Sequence, residues 1–131
     1  TGDRLQSLGL ASTQIDDLSA LAVLTDVESL DAAGNPITSV AFAANWLRLE
    51  SLDVRDSEVR NFEGLELLEL LSDIDARGSA LDDLNALANN ETFRQGDRLR
   101  AANTALDAED CLDLRVIESR NGEVDVDFEC P

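Results

Sequence analysis

The sequence predicts a curved solenoid of α/β repeats, with a parallel sheet on its concave face and short helical or 3-10 segments on its convex face. The first observation is a recurring apolar pattern, typified by Leu8-x-Leu10-x4-Ile15, whose starts fall at positions 8, 30, 52 and 74, a constant step. It recurs at 99, and its first pair recurs at 124, after slightly longer steps. The second observation is a polar residue three positions after each of the first five apolar pairs. One such unit cannot bury its apolar face alone, so stacked units must share a core.

We expect five repeats in residues 1–106, each contributing one strand to the sheet. Successive side chains of a strand point to opposite faces, so the alternating apolar residues point into the core. The predicted strands lie near residues 5–10, 27–32, 49–54, 71–76 and 98–101. Return segments such as the one holding Leu18, Leu21 and Leu24 carry apolar residues three apart, which indicates helical or 3-10 turns.

A column of small polar residues follows the strands. Its members are Thr13, Asn35, Ser57, Ser79 and Thr104. All five side chains can hydrogen-bond to nearby backbone, and backbone groups that leave the sheet at a bend need such partners. We therefore interpret the column as structural turn posts and not as a row of catalytic hydroxyls.

The most complete unit is VESLDAAGNPI, residues 27–37, which resembles the L-x-x-L-x-L-x-x-N-x-I pattern of the leucine-rich repeat family. The 22-residue period and the IDDLSAL stretch at 15–21 resemble the short-repeat subclass found in bacterial internalins. The resemblance covers about residues 4–106. Alanine replaces leucine at 32, 76 and 101, and Gly96 stands where the fifth repeat expects leucine. The resemblance implies a solenoid whose concave face is the contact surface.

Residues 107–131 depart from the repeat and predict a C-terminal cap. We expect a helix over about 109–120, capped by Asp107 or Asp110, and a strand over about 124–128. Cys111 lies in that helix and Cys130 just beyond the strand, so we expect a disulfide that pins the cap; two free buried thiols are the alternative. A disulfide implies an oxidising compartment, hence an extracellular, cell-surface or periplasmic location.

The N-terminal end differs, because no amphipathic helix precedes the first repeat. Leu5, Leu8 and the edge of the first strand are predicted to favour association with another molecule. The alternative is that the chain lacks an N-terminal cap belonging to a longer parent protein.

Charge narrows the class of partner. The net charge is -18, with 10 basic residues, and the sequence contains no lysine and no histidine. This argues against nucleic acid and anionic membranes, whose recognition depends on basic residues. It is compatible with a basic protein partner, with divalent ions, or with adaptation to a salty habitat. No cofactor or metal site is predicted, since the glycine-rich calcium repeat is absent.

The outward strand positions supply the candidate binding residues. Asp31, Asp53 and Asp75 fall in one column, and strands about 4.8 Å apart would make them a ladder of like charges. The arginines near enough to compensate are Arg55, Arg77 and Arg100. We expect these six to contact a protein partner; a solvated face of self-cancelling ion pairs and a divalent-ion site are the alternatives.

The sequence therefore predicts a non-enzymatic protein-interaction module of an exported or cell-surface protein. A rigid spacer or stalk within a larger acidic surface protein is the second hypothesis. Catalysis is not expected, because histidine-based mechanisms are impossible within the chain and the abundant acids form pairs by chance.

Overall fold

The computed structural model describes residues 7–130. Within them six parallel strands form one sheet in chain order, as the solenoid prediction requires. The strands are β1 (Ser7–Gly9), β2 (Ser29–Asp31), β3 (Ser51–Asp53), β4 (Asp73–Asp75), β5 (Arg98–Arg100) and β6 (Glu123–Asp125). Pairing advances by one repeat at each step, with Leu30 opposite Leu8 on one side and Leu52 on the other. The α/β repeat solenoid is confirmed.

The strands are shorter than the segments expected from the apolar pattern. A structural feature limits each strand at its start and at its end. At the start, one carbonyl accepts two donors: Glu28 O receives Glu50 N at 2.8 Å and Ser51 N at 3.1 Å. At the end, one position per repeat has a left-handed backbone, which no strand continues through. Those residues are Ser12, Gly34, Asp56, Gly78 and Asn103, with φ between 54° and 75°.

The core is a continuous stack of aliphatic columns beneath the sheet. Leu30, Leu52, Ile74 and Leu99 form the central column, and each is at most 1% exposed. Trp46 is fully buried on the return side, where its indole N–H donates to Leu21 O at 3.2 Å. Because neighbouring repeats supply both walls of every layer, each unit is stable only in contact with the next.

The return segments on the convex side are short and varied. Two are 3-10 helices, Ser19–Val23 and Ala41–Ala43, and one is a short helix, α1 (Asn85–Ala88). The third repeat uses successive turns instead, with Leu65 N bonded to Phe62 O and Leu68 N to Leu65 O. Among the described residues no helix is long and apolar enough to cross a membrane.

The turn posts differ in how far they reach. Asn35 is 2% exposed and joins two repeats: its Oδ1 accepts from Thr13 N and Ile15 N, and its Nδ2 donates to Leu10 O and Ala32 O. The four hydroxyl posts bond mainly within their own repeat, as Ser79 Oγ does by donating to Ala76 O at 2.7 Å. Asn35 therefore links repeats as well as closing its own turn.

The cap begins with the 3-10 turn Ala108–Asp110 and continues as α2 (Cys111–Ser119). The 3-10 turn starts one residue before the expected helix, because Asp107 and Asp110 form a reciprocal capping box, each side chain accepting from backbone near the other. The helix is followed by Asn121, whose φ is 66°, and Gly122 N returns to Ile117 O at 3.1 Å. Asparagine here takes the left-handed position that glycine usually occupies at a helix stop.

The last strand lies at 123–125, ahead of the expected 124–128. Beyond the last strand a side chain replaces a backbone acceptor: Asp127 Oδ2, not a carbonyl, accepts from Asn103 N at 2.8 Å. Cys111 and Cys130 form the expected disulfide, which ties the chain beyond β6 to α2. The disulfide-pinned cap is confirmed. Leu5, named above with Leu8 for the N-terminal edge, lies outside the described residues.

A second lock of the cap was not predicted. The half-buried Arg120 guanidinium donates to Ala88 O at 3.0 Å and Asn90 O at 3.1 Å, with longer bonds to Leu87 O and Phe93 O. These carbonyls belong to the C-terminal end of α1 and the loop after it. A positively charged side chain at the C-terminal end of α1 supplies donors to carbonyl groups that lack partners within the helix.

Removing the Arg120 lock should loosen the cap from the array. Arg120→Met keeps most of the apolar stem but loses every guanidinium bond, so we expect the free energy of unfolding to fall by roughly 2–3 kcal/mol. Urea denaturation followed by circular dichroism measures this. Arg94→Met, at an exposed position, is the matched control and should stay within about 0.5 kcal/mol of wild type. Equal losses in the two variants would contradict the assignment.

The contrast between the posts gives a second prediction. Asn35→Ala leaves buried backbone groups of two repeats without partners, which should cost roughly 2–3 kcal/mol of unfolding free energy. Ser57→Ala removes one long contact to Val59 N, 3.3 Å, and should cost about 1 kcal/mol or less. The same urea titration compares them, and a Ser57 variant as unstable as the Asn35 variant would argue against the inter-repeat role.

Candidate functional site

The candidate site is the outward face of the sheet, here called the concave face. The pairing register places three parallel columns on it. The first is Ser7, Ser29, Ser51, Asp73, Arg98 and Glu123, and the middle one is Gly9, Asp31, Asp53, Asp75, Arg100 and Asp125. The equivalent positions after the strands hold Ala11, Ala33, Arg55, Arg77, Ala102 and Asp127. The six predicted contact residues therefore share one face.

Two aspartates of the middle column are each paired with the arginine two residues later. Arg55 Nε contacts both carboxylate oxygens of Asp53, at 3.0 and 3.1 Å. Arg77 binds Asp75 in fork geometry, with Nε–Oδ1 at 2.9 Å and Nη2–Oδ2 at 2.7 Å. The same carboxylates accept the arginine backbone N–H, at 3.1 Å and 3.3 Å. Local sequence thus fixes both pairs, because strand end and turn bring residues i and i+2 together.

Asp75 is the centre of the charged network. It is 8% exposed, and besides Arg77 its Oδ2 lies 3.8 Å from Arg55 Nε and 3.9 Å from Arg100 Nη1. Burial by itself would raise the pKa of this carboxyl, but the hydrogen bonds and charge of Arg77, with Arg55 beyond, bring the pKa below its ordinary value of 3.8. Arginines therefore offset the charge of two members of the aspartate ladder, Asp53 and Asp75.

The N-terminal part of the face is more open. The Asp31 carboxylate accepts from Ala33 N at 3.1 Å, and no arginine of the described chain lies within ion-pair distance of it. Around it stand Gly9, Ala11 and Ser29, whose side chains are short or absent. This part of the face combines a carboxylate that faces solvent with neighbours whose side chains project little.

The C-terminal part is again paired. Arg98 Nε donates to Asp125 Oδ2 at 2.9 Å and lies 3.8 Å from Glu123 Oε2. Hydrogen bonding to Asp125 raises the pKa of Arg98 above its ordinary value. Arg100, in contrast, reaches the buried Asp75 at 3.9 Å without a hydrogen bond. Its donors remain available to a partner.

The chemistry of the face is that of paired charges. Within residues 7–130 no group of three or more cysteine, aspartate and glutamate side chains is placed to hold a metal ion. Asp53 and Asp75 are occupied by arginines, and the lowered pKa of Asp75 makes it a weak proton acceptor at neutral pH. What the face offers is ordered charge of both signs beside a floor of small residues.

In the cap, the pKa values of two aspartates shift in the direction opposite to that of Asp75. Burial raises the pKa of Asp110, against the hydrogen bond from Asp107 N, and the nearby acids Asp107, Asp83 and Asp113 add to the rise. Burial likewise raises the pKa of Asp113, helped by Asp83. These carboxyls stabilise the cap less when ionised, whereas Asp75 stabilises the sheet face more.

Comparison with known proteins now places the fold. Neither a family model nor a curated protein sequence matches the chain. Among solved structures, internalin C2 of Listeria monocytogenes superposes on 93% of the chain with a TM-score of 0.79 and 22% identity. The chain has the internalin type of leucine-rich repeat fold.

Two further structures agree. A second Listeria monocytogenes internalin, inlF, covers 95% of the chain at a TM-score of 0.75 and 19% identity. A leucine-rich repeat protein of Leptospira interrogans covers 88% at 0.71 and 18% identity. The chain spans 51%, 43% and 29% of these three proteins, in the order given. The resemblance seen in the repeat pattern thus extends to the whole leucine-rich repeat backbone.

Sequence reasoning missed one buried and one half-buried polar group of this leucine-rich repeat array. Asn90 is 1% exposed and donates to Leu65 O and Leu68 O of the preceding repeat. The sequence did indicate the special position of Asn90, because the longer return segment at 89–97 places this asparagine where other repeats have an apolar residue. Arg120 gave no such signal, because its acceptors belong to the preceding repeat and are distant in sequence.

The opposed pKa shifts predict opposed pH profiles. Asp75, whose folded pKa is lowered, contributes stability that is complete above about pH 3.8 and is lost as pH falls through its folded pKa. Asp75→Asn should therefore lower the melting temperature by a constant amount from about pH 7 to about pH 5, with the gap narrowing below about pH 4. Thermal denaturation across that range is the measurement.

Asp113→Asn is the matched control with the opposite sign. Its folded pKa is raised, so the ionised form costs stability near neutral pH, and that cost disappears as pH falls to about 3.8. The variant should melt above wild type at about pH 7 and lose this advantage in acid. Parallel profiles for the two variants would contradict the electrostatic account.

Proposed function

We propose that the chain is a non-enzymatic protein-interaction module of an exported or cell-surface protein, and that it binds its partner through the concave face. The observation that carries the proposal is the fixed charge network around Asp75. Three arginines, Arg55, Arg77 and Arg100, lie within ion-pair distance of one nearly buried carboxylate on an outward sheet face, the longest separation being 3.9 Å.

Such a network prepares the face for binding. Arginine side chains lose considerable rotamer freedom on contact with a partner, and ordering them in advance reduces that cost. Arg55 and Arg77 are held by aspartates of their own repeats, while each remains partly exposed to a partner. Arginine is also enriched among residues that contribute most to interface affinity.

The partner's chemistry follows from long-range and local charge. A net charge of -18 attracts a basic protein and accelerates its encounter. Asp31, on the open N-terminal part, would receive a lysine or arginine of that partner, and the small residues Gly9, Ala11 and Ser29 allow its backbone to approach. Arg100 would donate to a carboxylate or backbone carbonyl of the same partner.

The disulfide supports the exported part of the proposal, because such bonds persist in an oxidising location. Structural disulfides persist in extracellular, cell-surface or periplasmic proteins, and Cys111–Cys130 closes the cap. One observation favours a different role, a rigid spacer: the ion pairs of Asp53, Asp75 and Asp125 are already satisfied within the chain. A spacer would need no contact at Asp31 or Arg100.

Substitution of the open part of the face tests the proposal. The chain, immobilised, captures proteins from its native source, and quantitative mass spectrometry compares wild type with the double variant Ser29→Arg and Asp31→Arg. These side chains cover the small residues there and reverse the local charge, while every residue of the Asp75 network is retained. We expect a partner captured by wild type to be reduced at least about tenfold, which corresponds to about 1.4 kcal/mol.

Thr38→Arg is the matched control, because it adds the same side chain at an exposed position beyond the turn. It should retain the partner at the wild-type level. Capture that survives the double variant, or that both variants reduce equally, places binding elsewhere. If wild type captures nothing that the double variant loses, the spacer role is favoured.

A further inference from the structure

A second surface lies outside the sheet, on the return segments of the second and third repeats. Leu47, Leu67 and Leu70 are 62%, 81% and 51% exposed. All three line one open depression of about 340 Å³, together with Glu69. We call these three residues the leucine patch. Large aliphatic side chains this exposed and this close together are unusual on a soluble acidic surface.

The fold does not require leucine at these positions. The turns of the third repeat direct every third residue inward, and Leu65, Leu68 and Leu71 fill those positions with at most 1% exposure. Leu67 and Leu70 fall between them and face outward. Neighbouring repeats place Asn45 and Asn89 in the column of Leu67, so the repeat accepts a polar residue there.

Acidic side chains surround the apolar surface. Leu67 also lines a second depression, about 240 Å³, whose other walls include Glu66, Glu69 and Glu91. Glu69 and Glu91 are exposed, while Glu66 is half-buried and accepts from Gly64 N at 2.8 Å. The basic residue beside Leu47 is Arg48, which faces Asp26 at 3.9 Å. An apolar groove with an acidic rim results.

We propose that the leucine patch is a second docking site, and that it takes an amphipathic segment of a partner protein with an apolar stripe flanked by lysine or arginine. The stripe would cover the three leucines, and the flanking cations would meet Glu69 and Glu91. An apolar face laid into a groove is a common mode of peptide recognition. The proposal is independent of the concave face, because the patch shares no residue with it.

Charge selects this occupant over three others. A second copy of the chain would bring a like-charged rim against this one, and like charges placed together oppose association. An anionic lipid surface or an acidic peptide meets the same repulsion. A cationic segment gains from both parts of the site, since the rim attracts it before the leucines are desolvated.

A synthetic peptide probes the site directly. It is a helix of about five turns with leucine at i, i+3, i+4 and i+7 spacing and lysine on both flanks. Isothermal titration calorimetry measures its affinity for the full chain. We expect saturable binding that weakens roughly tenfold or more in Leu67→Ser with Leu70→Ser, because two aliphatic contacts are lost. Binding should also weaken in Glu69→Gln with Glu91→Gln, and on raising salt to about 0.5 M.

Two controls isolate the patch. Leu112→Ser removes a side chain of similar exposure, 74%, from the distant cap helix and should leave affinity unchanged. A peptide with glutamate in place of lysine should not bind. Circular dichroism verifies that each variant keeps the wild-type fold. No saturable binding, equal weakening by Leu112→Ser, equal binding of the glutamate peptide, or sedimentation showing that the patch dimerises the chain would each overturn the proposal.

Discussion

In-register stacking of very short strands is the constraint on which the structure depends. Each strand is too short to persist alone, so a repeat exists only because its neighbours supply the other half of its hydrogen bonds and core. In-register pairing keeps equivalent side chains in columns, even across the longer steps to the last two strands. Aliphatic columns gain from this repetition, because identical shapes pack against each other layer after layer.

The same repetition is unfavourable for charge. A column that repeats aspartate places carboxylates one strand spacing apart, which would oppose folding if nothing intervened. The chain answers locally: Arg55 and Arg77 follow their aspartates by two positions and turn back over them. The candidate binding surface therefore arises from a requirement of the fold. A face that must organise its charges in order to stack has its arginines ordered without any partner.

Strand order and core columns could be predicted because they follow from spacing, which sequence displays directly. Leu30, Leu52 and Ile74 are core in the structure for the same reason that they recur at a constant interval in the sequence. Strand ends could not be placed, since they depend on a left-handed backbone at Ser12 or Asp56 that the residue types only permit. The disulfide was inferable from two cysteines flanking the cap.

The interactions around the charged face were less accessible. Sequence brought the six candidate residues to one surface but not the fork between Arg77 and Asp75, nor the near-burial of that carboxylate, which depends on side-chain conformation. Arg120 was missed because its acceptors are backbone carbonyls of another repeat, and a carbonyl carries no mark in the sequence. The role of the six residues in binding stays a prediction.

The locks of the cap make the solenoid unequal along its length. The disulfide and the Arg120 bonds both act on the last two units, whereas the first repeat holds its aliphatic residues Leu8, Leu10 and Ile15 only half-buried. In an array of nearest-neighbour contacts, opening begins where the fewest contacts are lost. The cap would then be the last described part of the array to open, because its two locks must be lost together with its stacking contacts.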